Sequence, residues 1–144
     1  MAGYSGTPLA TKLGIKEGAR VVLLDAPGGF VDDHLEPLPG GIDVSAALCD
    51  GVDVVVLFVT ERADLESHWD AVTAALQPAG GFWVAWPKKS SKLPTDLTEN
   101  VLREVGLPTG WVDNKVCAVT DVWSGLRFVL RRELRPPTAP RARP

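Results

Sequence analysis

The residues best suited to chemistry collect at the ends of apolar runs. Trp86-Pro87-Lys88-Lys89 closes one such run, and Lys88–Leu93 then holds three lysines and two serines. Asp96 follows, spaced with Glu99 as a capping box for a helix running to about Val105. A helix N-terminus offers free amides and a dipole that favour anions. Lys88, Lys89 and Lys92 beside it therefore suggest a phosphate or carboxylate site, with Asp96 as the cap competing for the same amides. The plain alternative is a solvated lysine loop.

Other chemistries have thinner support. Asp25-Ala26-Pro27-Gly28-Gly29 stands where a glycine-rich phosphate loop would, but it lacks the Gly-x-Gly-x-x-Gly spacing. Pro27 also removes an amide that could face a phosphate. No acidic residue closes a second strand to hold a ribose, since Asp43 and Asp50 flank a weak segment, so a standard NAD site is not expected. Cys117 lies in the alternating stretch Lys-Val-Cys-Ala-Val and reads as core rather than nucleophile. Cys49 and Cys117 have neither metal nor redox spacing and are expected to be free, buried thiols in a reducing cytosol. His34, near Asp32 and Asp33, and His68 both read as surface residues, and a structural zinc site is not expected. No serine has a recognisable base, and there is no Gly-x-Ser-x-Gly elbow. The five tryptophans outnumber the single tyrosine. Trp83 reads as core, whereas Trp86 and Trp123 are placed either to stack on a flat ligand or partner or to seal a rim.

The elements that must position these residues are built around Asp53–Val59, a continuous apolar run with four valines. At that length it reads as a strand buried on both faces, which calls for layers above and below it. Asp64–Leu76 follows with Leu65, Trp69, Val72, Ala75 and Leu76 on one helical face. Pro78-Ala79-Gly80-Gly81 ends that helix and leads into a second buried strand, Gly81–Trp86. Strand, helix and strand in this order predict a parallel pair joined by a right-handed crossover. Upstream, Thr7-Pro8 starts a short helix that stops at Gly14, and Arg20–Asp25 is the first strand. Ile42–Val44 is a weak strand. Downstream, Lys115–Thr120 and Leu126–Arg132 predict an antiparallel hairpin.

The expected fold is a truncated Rossmann-like, mostly parallel sheet with helices on both faces and a C-terminal antiparallel hairpin. Ligands of such sheets sit beyond the carboxyl ends of the parallel strands. That places Trp86, Lys88, Lys89, Asn114, Trp123 and Ser124 on one rim, with Tyr4, Ser5 and Thr7 folding over it and Arg62 assisting an anion. With 144 residues the chain is expected to form one domain to about residue 135, followed by a disordered Pro/Arg-rich tail. Net charge is −3, but five arginines and one glutamate from Arg131 onward make the tail +4 and leave −7 in the body. An acidic body argues against nucleic acid. Apolar runs fall short of the ~20 residues of a membrane helix, and a cytoplasmic location is expected.

Several stretches together carry a resemblance. They include Gly3-Tyr4-Ser5-Gly6-Thr7-Pro8-Leu9, Phe58-Val59-Thr60-Glu61-Arg62, Trp86-Pro87-Lys88-Lys89, Thr95-Asp96-Leu97-Thr98-Glu99, Asp113-Asn114-Lys115-Val116-Cys117-Ala118-Val119 and Trp123-Ser124-Gly125-Leu126-Arg127. The chain resembles the actinobacterial domain-of-unknown-function family 3052 from Gly3 to about Glu133. That family has no assigned activity and implies no catalytic residue. At the level of fold, Asp53–Arg132 also resembles the later half of class I S-adenosylmethionine methyltransferases. It departs from them at the cofactor end, where the glycine-rich loop and the acidic ribose ligand are missing. Two functions follow as expectations. One is a non-enzymatic protein binding a partner or small anionic ligand at the rim; the other is a divergent S-adenosylmethionine-dependent transferase with a shortened pocket. A homodimer through the rim is the third reading.

Overall fold

The computed structural model describes residues 8–136. The tail beyond Pro136, and Tyr4, Ser5 and Thr7 of the expected site, lie outside the described residues. Six strands form one sheet: β1 (Arg20–Leu24), β2 (Asp43–Ser45), β3 (Val52–Phe58), β4 (Leu76–Pro87), β5 (Trp111–Ala118) and β6 (Trp123–Leu130). Their spatial order is β2-β1-β3-β4-β6-β5. The first four are parallel, while β6 runs antiparallel to both β4 and β5. β5 consequently points the same way as the parallel strands, and its carboxyl end reaches the same rim.

Helices α1 (Leu9–Lys12), α2 (Arg62–Ala75) and α3 (Glu99–Gly106) cover the sheet unequally. α2 and α3 pack Leu65, Trp69, Val72 and Leu102 against Val55, Leu57, Phe82, Val84 and Phe128 on one face. The other face carries Val21, Leu23, Val54, Val56, Phe58, Trp83 and Ala85. Its cover is thin: α1, a π-helical turn over Val31–Leu35, and the apolar residues Leu13, Ile15, Phe30 and Leu35. The period-2 alternation of β3 and β4 sends successive side chains to the two faces, and both are buried. This is why those strands read as unbroken apolar runs. Trp83, fully buried, donates its indole N–H to the Leu13 carbonyl at 3.0 Å and ties α1 to the middle of the sheet.

The start of β4 departs from the expected turn. Leu76 already pairs with Val52 and Gly81 pairs with Val54, so Gln77–Gly80 form an excursion opposite Asp53 alone. Pro78-Ala79-Gly80-Gly81 is thus a bulge inside the strand's span rather than a loop ahead of it. Gly80 fits because a Cβ there would meet the Asp53 carbonyl oxygen at 2.9 Å.

Candidate functional site

Chain order reverses between β1 and β3, and an open sheet of this kind offers its crevice there, beyond the carboxyl ends. β1 gives way to Asp25, a non-glycine residue at φ +58°, followed by Ala26-Pro27-Gly28-Gly29. Gly29 has φ +77°, and Asp33 folds back on it: the Asp33 amide donates to the Gly29 carbonyl at 2.8 Å, and a Cβ on Gly29 would lie 2.8 Å from the Asp33 carboxylate. The loop is drawn tight rather than open.

Phe30 leaves this loop and packs edge to face on Phe58, the last residue of β3, with ring centroids 5.1 Å apart. Phe58 in turn meets Trp123, the first residue of β6, at 5.2 Å and 84°. Phe30 is 2% exposed and Phe58 3%. Edge-to-face rings at this spacing are favourable, and burying each phenylalanine contributes about 1.5–3 kcal/mol. Three rings therefore bridge the β1 loop, the end of β3 and the start of β6 where the crevice would lie. Sequence reasoning passed over Phe30 and Phe58. Their signal was an aromatic residue closing β3 and another closing the loop after β1, the two strands that flank the order reversal.

The rim residues are brought together in part. Trp86 pairs with Ser124 and Pro87 with Trp123, and the Lys88 amide donates to the Val122 carbonyl at 2.8 Å. Lys88, Lys89, Trp123 and Ser124 thus share one end of the sheet. Trp86 is buried in the core under α2 and α3, so it is not free to stack on a ligand. Trp123 is half-buried and engaged by Phe58. Asn114 does not reach the rim. It sits at an irregularity of β5 between Asp113 and Lys115, opposite Arg127, and Arg127 pairs with Trp83 in mid-sheet. A skipped residue in the ladder moved it off the regular alternation.

Arg62 is already engaged by two carboxylates. Its Nε donates to Glu66 at 2.9 Å and its Nη1 to Glu104 at 2.8 Å. The hydrogen bond to Glu66, and then that to Glu104, raise its pKa above the ordinary guanidinium value.

The helix-terminus reading changes as well. Asp96 caps α2 rather than α3: its Oδ1 accepts the Arg62 amide at 2.7 Å across the sheet's end. Thr98 caps α3, accepting the Val101 amide at 3.2 Å. Both N-termini near the lysine loop therefore carry side-chain caps, and Glu99 adds a negative charge to the first turn of α3. The loop itself is pinned by Ser91 Oγ donating to the Lys88 carbonyl at 2.7 Å and Thr95 Oγ1 donating to the Thr60 carbonyl at 2.6 Å. What remains at the rim is a set of lysines, Lys88, Lys89 and Lys92, with no carboxylate partner among the described residues.

Cys49 is exposed, not buried, because it sits in the turn before β3; Cys117 is half-buried. His34 is exposed, its ring 5.9 Å from that of Phe30. No group of three His, Cys, Asp or Glu side chains among the described residues stands close enough to hold a metal ion. None of their helices is long and apolar enough to cross a membrane.

A parallel sheet closed by an antiparallel strand inserted before its edge is the arrangement of methyltransferase-type folds, and solved structures bear this out. No family model and no curated protein sequence matches the chain. It is similar in structure to an S-adenosylmethionine-dependent methyltransferase from Aquifex aeolicus, with TM-score 0.60, 14% identity, and 83% of this chain and 86% of that one covered. Fibrillarin, a pre-rRNA processing protein from Methanococcus jannaschii, gives 0.60 at 12% identity, covering 90% of this chain and 71% of its own. A type 11 methyltransferase, described as putative, from Sulfolobus solfataricus gives 0.55 at 12% identity, covering 94% and 93%. At such identities the likeness is one of fold.

Proposed function

We propose that the chain is a non-catalytic binding protein on a methyltransferase-type sheet, recognising an anionic target through Lys88 and Lys89 at the carboxyl rim. The target is a small anionic ligand or the acidic surface of a protein partner. The observation that carries this reading is the ring stack of Phe30, Phe58 and Trp123 in the crevice between β1 and β3. A cofactor would have to displace two phenylalanines that are almost fully buried. Support for the basic rim is the absence of carboxylate partners for its lysines among the described residues. A cytoplasmic location belongs to the same proposal. So does membership of domain-of-unknown-function family 3052, supported by the motif set that ends in Trp123-Ser124-Gly125-Leu126-Arg127.

One observation favours a second reading, a divergent S-adenosylmethionine-dependent transferase: the similar solved structures are described as enzymes of that class. Thermal unfolding of the purified chain with S-adenosylmethionine, S-adenosylhomocysteine, nucleotides and acyl-coenzyme A separates the two. A ligand at 100 times its dissociation constant adds about 2.7 kcal/mol, a shift of several degrees for a domain of this size. The binding reading expects no shift with the adenosyl compounds, and an anion response that Lys88→Ala with Lys89→Ala reduces. A saturable shift with S-adenosylmethionine makes the transferase the better account.

A further inference from the structure

The opposite end of the sheet holds a second arrangement of cations. A groove of about 450 Å³ opens at the amino ends of the parallel strands, on the face covered by α1. Lys12 and Lys16 come from α1 and the segment after it, Lys115 from β5, and Arg127 from β6. Ala79 and Gly80 of the β4 bulge contribute small residues to the lining. The two carboxylates in the lining are Glu17 and Asp53, and Asp53 Oδ2 already accepts the Arg20 amide at 2.9 Å.

Arg127 is the decisive residue. It is half-buried on a strand between Leu126 and Phe128, both core residues. Its guanidinium lies against Gly81, where a Cβ would come within 2.5 Å of Nε and 3.0 Å of Nη2. A glycine in the strand is what leaves room for the charged group. Among the described residues its contact with an acceptor side chain is one long hydrogen bond, Nη1 to Asn114 Oδ1 at 3.4 Å, and no carboxylate lies within ion-pair distance. Burial lowers its pKa from the ordinary guanidinium value, and Arg135 lowers it further. Like charge and desolvation both disfavour this placement. A guanidinium has five N–H donors in a fixed fork matched to carboxylate and phosphate oxygens.

We propose that this amino-end groove is a binding site for a small molecule bearing a phosphate or diphosphate group, with Arg127 as its fork and Lys12, Lys16 and Lys115 as flanking charges. Four cations against two carboxylates leave the lining at +2. A phosphomonoester carries about −1.5 to −2 near neutral pH and balances that, which a single carboxylate does not. The volume falls in the range of small-ligand pockets, roughly 300–1,000 Å³. A nucleic acid, by contrast, would have to lie against a body whose charge is −7 outside the tail.

Calorimetric titration of the full chain with inorganic phosphate, pyrophosphate, succinate and a single-stranded oligonucleotide, at constant chloride, tests this. Pyrophosphate is expected to bind saturably and more tightly than succinate. Arg127→Met should weaken it about tenfold or more, the scale of losing a charge-assisted hydrogen bond. Lys12→Ala with Lys115→Ala should weaken it with circular dichroism unchanged, and decides the matter if Arg127→Met does not fold. In the Lys88→Ala with Lys89→Ala background, which removes any anion held at the rim, saturable pyrophosphate binding should persist and should still be lost with Arg127→Met. No saturable pyrophosphate binding, or equal affinity in the double lysine variant, overturns the site. Succinate binding as tightly overturns the phosphate assignment, and tighter oligonucleotide binding overturns the small-molecule one.

Discussion

At the carboxyl end of the sheet, Phe30, Phe58 and Trp123 meet edge to face, and the N-termini of α2 and α3 are both capped. At the amino end, Arg127 lies half-buried with, among the described residues, one long hydrogen bond to a side chain and no carboxylate beside it. Fold analogy directs attention to the first end, and unsatisfied electrostatics direct it to the second. Both ends carry lysines without acidic partners. At the rim these are solvated whether or not an anion is bound, so their placement alone needs no explanation. A half-buried guanidinium resting on a glycine does need one. The difference teaches that a fold's habitual site can be filled in while another is opened at the far side of the same sheet.

The comparison can be broken most sharply at Phe58. Replacing it with alanine should cost about 3–5 kcal/mol in urea unfolding, because both edge-to-face contacts go with it. The variant is expected to remain unresponsive to S-adenosylmethionine. If it instead recovers stability when that compound is added, the rings cover a usable crevice and the contrast between the ends collapses.

Two glycines then set the two faces of the sheet apart. A Cβ at Gly106 would meet the rings of Phe128 at 2.7 Å and Trp69 at 2.9 Å. Gly106→Ala should therefore cost about 1–3 kcal/mol by overpacking. A Cβ at Gly81 meets the flexible end of Arg127 instead, so Gly81→Ala should unfold within about 1 kcal/mol of the parent while losing pyrophosphate affinity. Equal costs at the two positions would show that Arg127 is locked by packing rather than poised for a ligand.

Asp96→Ala should cost about 0.5–2 kcal/mol in thermal unfolding, since it uncovers the Arg62 amide at the start of α2. A loss within error would mean that water substitutes for the cap.

The smallest expected effect concerns pH. Burial pushes the Cys117 thiol above its ordinary pKa, while Lys12 and Lys115 pull it partly back. An unfolded thiol titrates near ~8.5, so the stabilising contribution is fully present below that pH and fades as pH rises through the folded value. Alkaline urea titrations should show this decline in the parent and not in Cys117→Ala. Exposed Cys49 should be alkylated first, and pyrophosphate in the groove should slow Cys117 further by neutralising its two lysines. Cys117 labelling that pyrophosphate leaves unchanged would remove the basis for placing Lys12 and Lys115 together.

The strands and the long helix were legible because both of their periodicities are local. The organising run Asp53–Val59 is β3, shifted by one residue to Val52–Phe58, and the helix read as Asp64–Leu76 is Arg62–Ala75. The hairpin strands were placed correctly in kind but begin three to four residues earlier, at Trp111 and Trp123. The site was far less legible. Asp96 and Glu99 match a capping box by spacing, yet Asp96 binds an amide 34 residues away. Trp86 reads as a strand-end platform, yet α2 and α3 cover it. Asn114 fell off the expected alternation at an irregularity that no propensity announces. The basic groove draws its cations from α1, the segment after it, β5 and β6, and further lining from β3 and β4, so no window of sequence contains it. One trace was visible: an arginine at position 127 inside an otherwise apolar strand.

The indole of Trp83, bonded to the Leu13 carbonyl, has a kinetic consequence. A four-residue helix alone is far below the length at which helices persist in water, and α1 should fray within microseconds if left to itself. Joined to a fully buried side chain at mid-sheet, it can open only when the sheet does. The Leu13 amide, which donates to the Leu9 carbonyl at 2.9 Å, should therefore exchange its hydrogen as slowly as the amides of β3. The shortest α-helix among the described residues belongs to their most slowly opening part.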